Sequence, residues 1–352
     1  METDTDHAWD GLLDVERLND WIETTDAPGQ GPVAVIRKLE GGSQNNIFLL
    51  RRGEVDMVLR RPPAHLRANS NETMVREARV LAALAGSSVP HPELYSACPD
   101  TDVIGASFYL MAPIDGFTPR GTLPGSYSTE PSWRRDLAFE MARAAAALGS
   151  VDYVRAGLSD YGKPDRWLER QVARWRSQLE GYGKLPGYTG PELPHVEKVG
   201  VWLEDNRPSE ARIGIVHGDY QFANVMFSLR APHLAAIVDW ELCSLGDPLL
   251  DLAWMLTAWH EEGDPPGHEA QFQPWSEIPS RQEVALRYSE LSGRPIDALP
   301  WFFTLACYKL GIILEGTFAR AKAGQAAQDT GDRLHAYAGW LFQKAAQAIA
   351  YA

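Results

Sequence analysis

The 352-residue sequence predicts an α+β fold in two lobes, a small antiparallel-sheet lobe with one main helix followed by a large helical lobe. Three observations carry that expectation. First, VAVIRKL, IFLLRR and VDMVLRR are β-like runs whose connections are too short for helical crossovers, so they should pair as an antiparallel meander. Second, Val75, Ala78, Val80, Leu81 and Leu84 recur at helical spacing over 72–85. Third, helical patterning dominates beyond residue 113 and is interrupted only by short β runs at 213–217, 225–227 and 235–239.

Taken in order, 9–24 carries Leu12, Leu13, Val15, Leu18, Trp21 and Ile22 at helical spacing, and the break APGQGP ends it. The meander follows, with the turn-rich GGSQNN and then a Gly53 turn between its runs; Pro62-Pro63 stops the last one. After the 72–85 helix, extended pieces at 94–97 and 107–111 complete a small sheet, and PIDGFTPRG reads as a connector. This divides the chain into an N-terminal helical extension (1–30), a first lobe (31–113) and a second lobe (114–352). Helices are expected in the second lobe at 131–148, 163–180, 194–205, 248–260, 281–291, 298–323 and 333–351. The stretch EEGDPPGHEAQFQP reads as a surface loop between two of them.

Composition narrows the function classes. Hydrophobic residues make up 45% and charged residues 23%, an ordinary soluble mix. A formal charge of -14, with no dense basic block, argues against nucleic acid and anionic membranes as partners. It would suit a cationic substrate, and it also suits a surface kept acidic for solubility. Cys98, Cys243 and Cys307 are odd in number and far apart, which points to reduced thiols in a cytoplasmic protein and offers no zinc pattern. The opening METDTDHAWD is too polar for a signal peptide. The apolar stretch 301–314 carries Lys309, is too short to span a bilayer and reads as a buried helix.

The chemistry is concentrated in IVHGDYQFANVMF and AAIVDWELCSLGDPLLDLAWML. They place His217-Gly218-Asp219 at the end of one short strand, Asn224 five positions later, and Asp239 at the end of another strand. Phosphoryl transfer from a nucleotide needs such a set. One carboxylate orients the acceptor hydroxyl and takes its proton, while a carboxamide oxygen and a second carboxylate hold Mg²⁺ against the phosphates. These are hard oxygen ligands, and no cysteine is required. A lone Asp at a strand end is more often a turn or cap residue, but three such residues at this spacing are poorly explained that way.

His-Gly-Asp-x-x-x-x-Asn followed by a strand ending in Asp resembles the catalytic and metal-binding loops of the aminoglycoside phosphotransferase and choline kinase families, small-molecule relatives of the protein kinases. The resemblance implies a protein-kinase-like fold and an ATP- and Mg²⁺-dependent kinase acting on a small-molecule hydroxyl. Asp219 would be the base, and Asn224 and Asp239 the metal ligands. His217 would brace the loop, Asp247 would cap the following helix, and Asp251 would hold the loop by hydrogen bonds. VLRRPP, REARVLAAL and GLSDYGKPDRWLERQVARW are similar to the kinase-like domain at the N-terminus of some eukaryotic acyl-CoA dehydrogenases and to its free-standing bacterial relatives. Two departures are Gly149, where histidine is usual in those proteins, and Lys309, where arginine is commoner.

By the same resemblance the first lobe binds the nucleotide. Gly41, Gly42, Ser43 and Asn45 stand where the phosphate-covering loop belongs, although GGSQNN alone also reads as an ordinary hairpin turn. Arg60 stands where many such kinases have a phosphate-pairing Lys; arginine keeps the charge and adds a bidentate fork. Strand alternation puts Arg60 and Arg61 on opposite faces without saying which faces inward. Glu77 would be the ion-pair partner, or an exposed helical glutamate. Met111, in YLMAP, would lie at the adenine hinge, or be plain core.

The acceptor pocket should be walled by the helical lobe, with Arg170, Gln171, Trp175, Trp301, Lys309 and Glu315 as candidates that simple packing also explains. A hydroxy-acid or hydroxyacyl thioester, which would need basic groups, is favoured over an aminoglycoside. Two rivals are a nucleotide-binding pseudokinase module, supported by Arg60 alone, and a metal-dependent phosphohydrolase, for which no His-rich two-metal motif is present.

Overall fold

In a computed structural model, described over residues 11–39, 45–66, 68–261, 264 and 271–351, the chain forms the expected two lobes. Helix α1 (Val15–Ile22) starts at Asp14, whose carboxylate accepts from the Arg17 N–H at 3.0 Å, and it buries Leu18 and Ile22. Strands β1 (Val33–Leu39), β2 (Asn46–Arg52) and β3 (Val55–Arg61) follow as antiparallel neighbours. Gly53, at φ +58°, turns β2 into β3, in a conformation a Cβ would oppose. Helix α2 (Ser70–Leu84) and strands β4 (Leu94–Cys98) and β5 (Phe108–Met111) complete a five-stranded sheet in the order β1-β2-β3-β5-β4.

The central position of β3 explains its sequence. Its last five residues, Met57 to Arg61, are all buried because both faces of the sheet are covered. Met57 and Leu59 join Leu18, Ile22, Phe48, Leu50 and Leu110 in a small core beneath α1. On the opposite face Tyr109, paired with Arg60 across the strands, packs with Met74, Ala78 and Leu81 of α2, which belong to the large core shared with the second lobe. Two cores of different partners therefore sort the two arginines, which alternation alone leaves open. Arg60 faces the lobe junction, while Arg61 faces the extension and donates to the carbonyls of Leu12 and Ile104.

The second lobe comprises β6 (Gly121–Thr122), α3 (Ser126–Thr129), α4 (Pro131–Gly149), α5 (Trp167–Tyr182), α6 (Val196–Asp205), β7 (Gly214–Val216), β8 (Val225–Phe227), β9 (Leu234–Ile237), β10 (Ser244–Gly246), α7 (Leu249–Thr257), β11 (Phe272–Gln273), α8 (Arg281–Ser292), α9 (Leu299–Lys322) and α10 (Gln328–Tyr351). Its strands pair two by two: β7 with β10 and β8 with β9 antiparallel, and β6 with β11 parallel. Helix α5 begins four residues later than periodicity suggests. Pro164 disfavours helical geometry at Lys163, and Arg166 takes a left-handed conformation at φ 51° just before the helix. Strands β6 and β11, of two residues each, are too short to show any period, and β11 lies within the segment read as a plain surface loop.

Helix α9 lies within one residue of the expected 298–323 span at each end. At 24 residues it is long and apolar enough to cross a membrane by composition, which the 301–314 stretch alone is not. Most of its apolar window is instead buried inside the helical lobe, where it packs against α10, α7 and α5.

Besides Arg61, a second buried arginine ties the N-terminal extension to the sheet. The Arg52 guanidinium donates to Ala27 O at 2.9 Å, Gly31 O at 3.0 Å and Glu23 Oε1 at 2.6 Å. Arg52→Ala is therefore expected to destabilise the fold by about 1–3 kcal/mol, read from the urea midpoint, because the buried Ala27 carbonyl loses its donor and the contacts to Gly31 O and Glu23 go with it.

Candidate active site

Strand β7 is wholly buried and delivers His217-Gly218-Asp219 at its C-terminal end. The loop is held from beneath by Asp251 in the first turn of α7, buried to 2% exposure, whose two oxygens accept from the backbone N–H groups of His217 at 2.6 Å and Gly218 at 2.9 Å. Burial pushes the Asp251 carboxyl above its usual range, against the nearby His217 and the two backbone donors. His217 works as a brace. Its Nε2 is 3.0 Å from Val238 O and its Nδ1 is 3.3 Å from the Asp219 backbone nitrogen, so both ring nitrogens meet the backbone of the two loops. Asp247 accepts from Leu249 N at the start of α7, as a cap, and is further buried in an ion pair with Arg294 at 2.6 Å.

Gly218 has a steric reason to be glycine. Its φ is +88°, and a Cβ there would stand 2.4 Å from the Leu242 carbonyl oxygen, a backbone atom that cannot give way. Gly149, the departure from histidine, ends α4 with no room for a side chain either, since a Cβ would meet the Pro248 Cβ at 2.9 Å.

The Asp219 carboxylate is oriented by three side-chain donors. Oδ1 accepts from Gln221 Nε2 at 2.7 Å and from the Trp254 indole N–H at 2.9 Å; Oδ2 accepts from Asn224 Nδ2 at 2.7 Å. Asn224 also donates to Asp219 O, so its amide nitrogen is committed and its carbonyl oxygen is left for a cation. The β8–β9 pair then closes the constellation. Val225 lies opposite Ile237, and Val238 N–H donates to Asn224 O at 2.9 Å, which sets Asp239 beside Asn224. Asp239 is left-handed at φ 66° and ψ 66°, a conformation that aspartate tolerates better than most residues.

Arg60 crosses from β3 to this cluster. Its Nη2 donates to Asp239 Oδ1 at 2.6 Å, and its Nε lies 3.1 Å from Glu77 Oε2 at an angle suited to an ion pair more than to a hydrogen bond. Glu77 Oε2 also accepts from the Tyr109 hydroxyl at 2.9 Å. Burial pushes the Glu77 carboxyl up to about 7, against the opposing pull of Arg60 and the Tyr109 bond. Burial likewise opposes the Arg60 charge, but Tyr109, Glu77 and Asp239 more than offset it and hold the guanidinium charged. Helix α2 itself is pinned to the second lobe by Arg76, which donates to Cys243 O at 3.4 Å, and by the Tyr161 hydroxyl, which donates to Arg76 O at 3.3 Å.

Of the remaining expected residues, Met111 ends β5 opposite Val58 and Leu94 and is half-buried. Asn45 immediately precedes β2; Gly41, Gly42 and Ser43 lie outside the described residues. Among the wall candidates only Lys309 reaches the loop, donating to Gly218 O at 3.2 Å and lying 4.3 Å from the Trp254 ring centre and 5.6 Å from that of Trp175. Burial pushes its ammonium down to about 8, against Asp251 and Asp219. Trp301 and Glu315 prove to be framework. The Trp301 indole donates to Leu203 O at 2.9 Å, and Glu315 is held by Tyr188 at 2.8 Å and His335 at 2.6 Å. Gln171 donates to Trp167 O within its own helix at 2.8 Å, and the exposed Arg170 donates to Lys163 O. Trp254 and Gln221 were missed. The signal for Trp254 was present, since it follows Asp251 by three residues on α7, and such neighbours share a helix face.

The model of the phosphotransferase enzyme family matches residues 35–286, more than half of the chain. The protein belongs to that family. Among curated relatives, acyl-CoA dehydrogenase family member 10 of Mus musculus is 30% identical over 305 residues, which is 85% of this chain but only 28% of that protein. The chain spans 28–38% of the length of two such relatives. A crystal structure from Ralstonia eutropha JMP134, provisionally named an aminoglycoside phosphotransferase, shares 31% identity with a TM-score of 0.80, covering 95% of this chain and 99% of its own. The ADP-bound aminoglycoside phosphotransferase APH(2'')-Ib, at 15% identity and a TM-score of 0.54, covers 94% of this chain and 99% of its own, and shares the fold.

Because the Gly218 position excludes a side chain, Gly218→Ala is expected to lower the stability of the protein by about 1–4 kcal/mol in thermal unfolding, the cost of a left-handed φ plus a backbone clash.

Proposed function

We propose that the protein is a small-molecule kinase that moves the γ-phosphoryl group of ATP, with Mg²⁺, to a hydroxyl of its acceptor. The observation that carries this reading is the convergence of the thrice-oriented Asp219 carboxylate, the free Asn224 carbonyl oxygen and Asp239, with Arg60 at 2.6 Å from Asp239. In such transfers the protein mainly positions and neutralises charge, and this arrangement suits both tasks. Three donors fix Asp219 so that a remaining lone pair can take the proton of an acceptor hydroxyl. Arg60, oriented by Glu77, offers a permanent positive fork to nucleotide phosphates.

The donor set fits magnesium. Asn224 Oδ1 and the Asp239 carboxylate are hard oxygens, and among the described residues no group of three His, Cys, Asp or Glu side chains forms a dedicated cage. Magnesium in nucleotide sites uses one or two protein ligands and takes the rest from phosphate and water. When bound, the ion supplies neutralisation of the charge that builds on the transferred group.

For the acceptor, a hydroxy-acid or hydroxyacyl thioester is favoured over an aminoglycoside. Support comes from the Lys309 ammonium beside the catalytic loop, which would repel an amino sugar, and from the acyl-CoA dehydrogenase names of the curated relatives. The pseudokinase alternative rested on Arg60 replacing lysine; the buried pairing of Arg60 with Glu77 and its contact with Asp239 speak against it.

Asp219→Asn is expected to lower turnover by on the order of 10²–10⁴ while MgADP binding persists, and Asp239→Asn to abolish Mg²⁺-dependent nucleotide binding. Both are measured by ADP release and calorimetry; full turnover in Asp219→Asn with an identified acceptor would remove the base assignment. Since the Lys309 ammonium sits at about 8, its charge disappears as pH rises through that value. Turnover should therefore fall on the alkaline side, and Lys309→Arg, which stays charged, should flatten that limb.

A further inference from the structure

Lys309 of α9 is set between two tryptophans beside the catalytic loop. Its ammonium donates to Gly218 O at 3.2 Å and lies 4.3 Å from the ring centre of Trp254 and 5.6 Å from that of Trp175. Both distances fall within the range over which the negative face of an indole attracts a cation. The rings come from α7 and α5, two helices against which α9 packs. Trp175 contributes its ring alone, since its buried indole N–H has no hydrogen-bond partner among the described residues. Trp254, only 4% exposed, contributes twice. Its ring takes the ammonium, and its N–H donates to Asp219 Oδ1 at 2.9 Å.

The indole therefore joins a cation to the Asp219 carboxylate. A positive charge over the ring draws electron density from it, which makes the N–H a stronger donor and favours one orientation of the plane. The consequence falls on one oxygen. A carboxylate oxygen has two lone pairs, and Oδ1 of Asp219 uses both, on Gln221 and Trp254. Oδ2 accepts only from Asn224 among the described residues, so the free lone pair is on Oδ2. Turning the indole away would return a lone pair to Oδ1 and leave two oxygens in competition. The same ammonium, through Gly218 O, also holds the peptide that precedes Asp219.

We propose that Lys309 is a positioning residue that acts on Asp219 through Trp254, so that Oδ2 is the atom that receives the proton of the acceptor hydroxyl. In that step the O–H bond breaks toward Oδ2 and the oxygen bonds to the γ-phosphorus. The bond from that phosphorus to ADP breaks, and its electron pair leaves with ADP. Lys309 needs no contact with the acceptor for this. The proposal rests on the kinase reading above for the role of Asp219.

Two measurements test it. Protein labelled with ¹⁵N-tryptophan gives NMR indole N–H signals from its 12 tryptophans, and Trp254→Phe identifies the one from Trp254. That signal is expected downfield, as for a donor to a carboxylate. It should move upfield in Lys309→Met and in Asp219→Asn, and stay in place in Lys309→Arg. The second measurement follows Mg²⁺-dependent ADP release from ATP, with water in place of the acceptor hydroxyl. Trp254→Phe keeps a ring and loses the N–H. It should lower kcat on the order of ten- to a hundredfold, the worth of one hydrogen bond to a charged group, with KM for ATP within about twofold. Lys309→Met should also lower kcat, and the loss in the double variant should be smaller than the product of the single losses, because the two residues act in one chain. Three results would each overturn the proposal: an unmoved Trp254 signal in Lys309→Met, wild-type kcat in Trp254→Phe, or single losses that multiply in the double variant. Wild-type turnover in Asp219→Asn would strike the base assignment instead, and the indole signal would still decide whether Lys309 and Asp219 are linked.

Discussion

The site depends on a carboxylate that does no chemistry. Asp251, buried at the start of α7, accepts the two backbone N–H groups that follow β7 and so fixes where the chain turns after that strand. Burying a charge is costly unless it is hydrogen-bonded, and here the bonds that offset the cost also hold the loop. Once His217 and Gly218 are fixed, Asp219 has one place to go. The same helix then sends Trp254 to the Asp219 carboxylate, so α7 supports both the backbone and the side chain of one loop.

The second constraint is the pairing of very short strands. A three-residue β8 against a four-residue β9 contributes little stability by itself, yet its register, Val225 opposite Ile237, sets Asn224 beside Asp239. Fifteen positions of sequence collapse to one locus by antiparallel pairing. Arg60 then arrives from the other lobe, and its charge is kept in a buried setting by Glu77, Tyr109 and Asp239 together. The Arg60–Asp239 contact couples the sheet lobe to the helical lobe through electrostatics and hydrogen bonding, while α2 is held to the same lobe by Arg76 and Tyr161. Positive charge is used in two ways along this seam: Arg60 is enclosed by carboxylates, whereas Arg76, next to Glu77 on α2, turns to the Tyr161 ring and to backbone carbonyls.

Much of this was legible in the chain. The meander, α2 and the long helices of the second lobe follow from period and from turn residues, because period-two and period-3.6 burial leave marks on any amphipathic segment. The phosphotransferase loops were legible because Asp219, Asn224 and Asp239 are separated by fixed spacings and bounded by apolar strands. Strands β6 and β11 left no mark, being too short for a period of two to repeat, and the late start of α5 required weighing Pro164 against an otherwise helical pattern. Trp254 was passed over for a different reason: its spacing from Asp251 was visible, but an indole in an apolar helix looks like core until its N–H is seen to have a partner.

By itself the sequence determined the fold class, the family and the residues of the candidate site, since these rest on local pattern and on short-range spacing. It could not decide which face of β3 looks toward the cleft. That choice between Arg60 and Arg61 was made by two separate hydrophobic cores, one under α1 and one under α2, whose members are far apart in the chain. Nor could it decide that Lys309 meets the Gly218 carbonyl while Glu315, on the same helix, turns to Tyr188 and His335. Those outcomes depend on how α9 is rotated against its neighbours, and rotation is set only when all the packing partners are present at once.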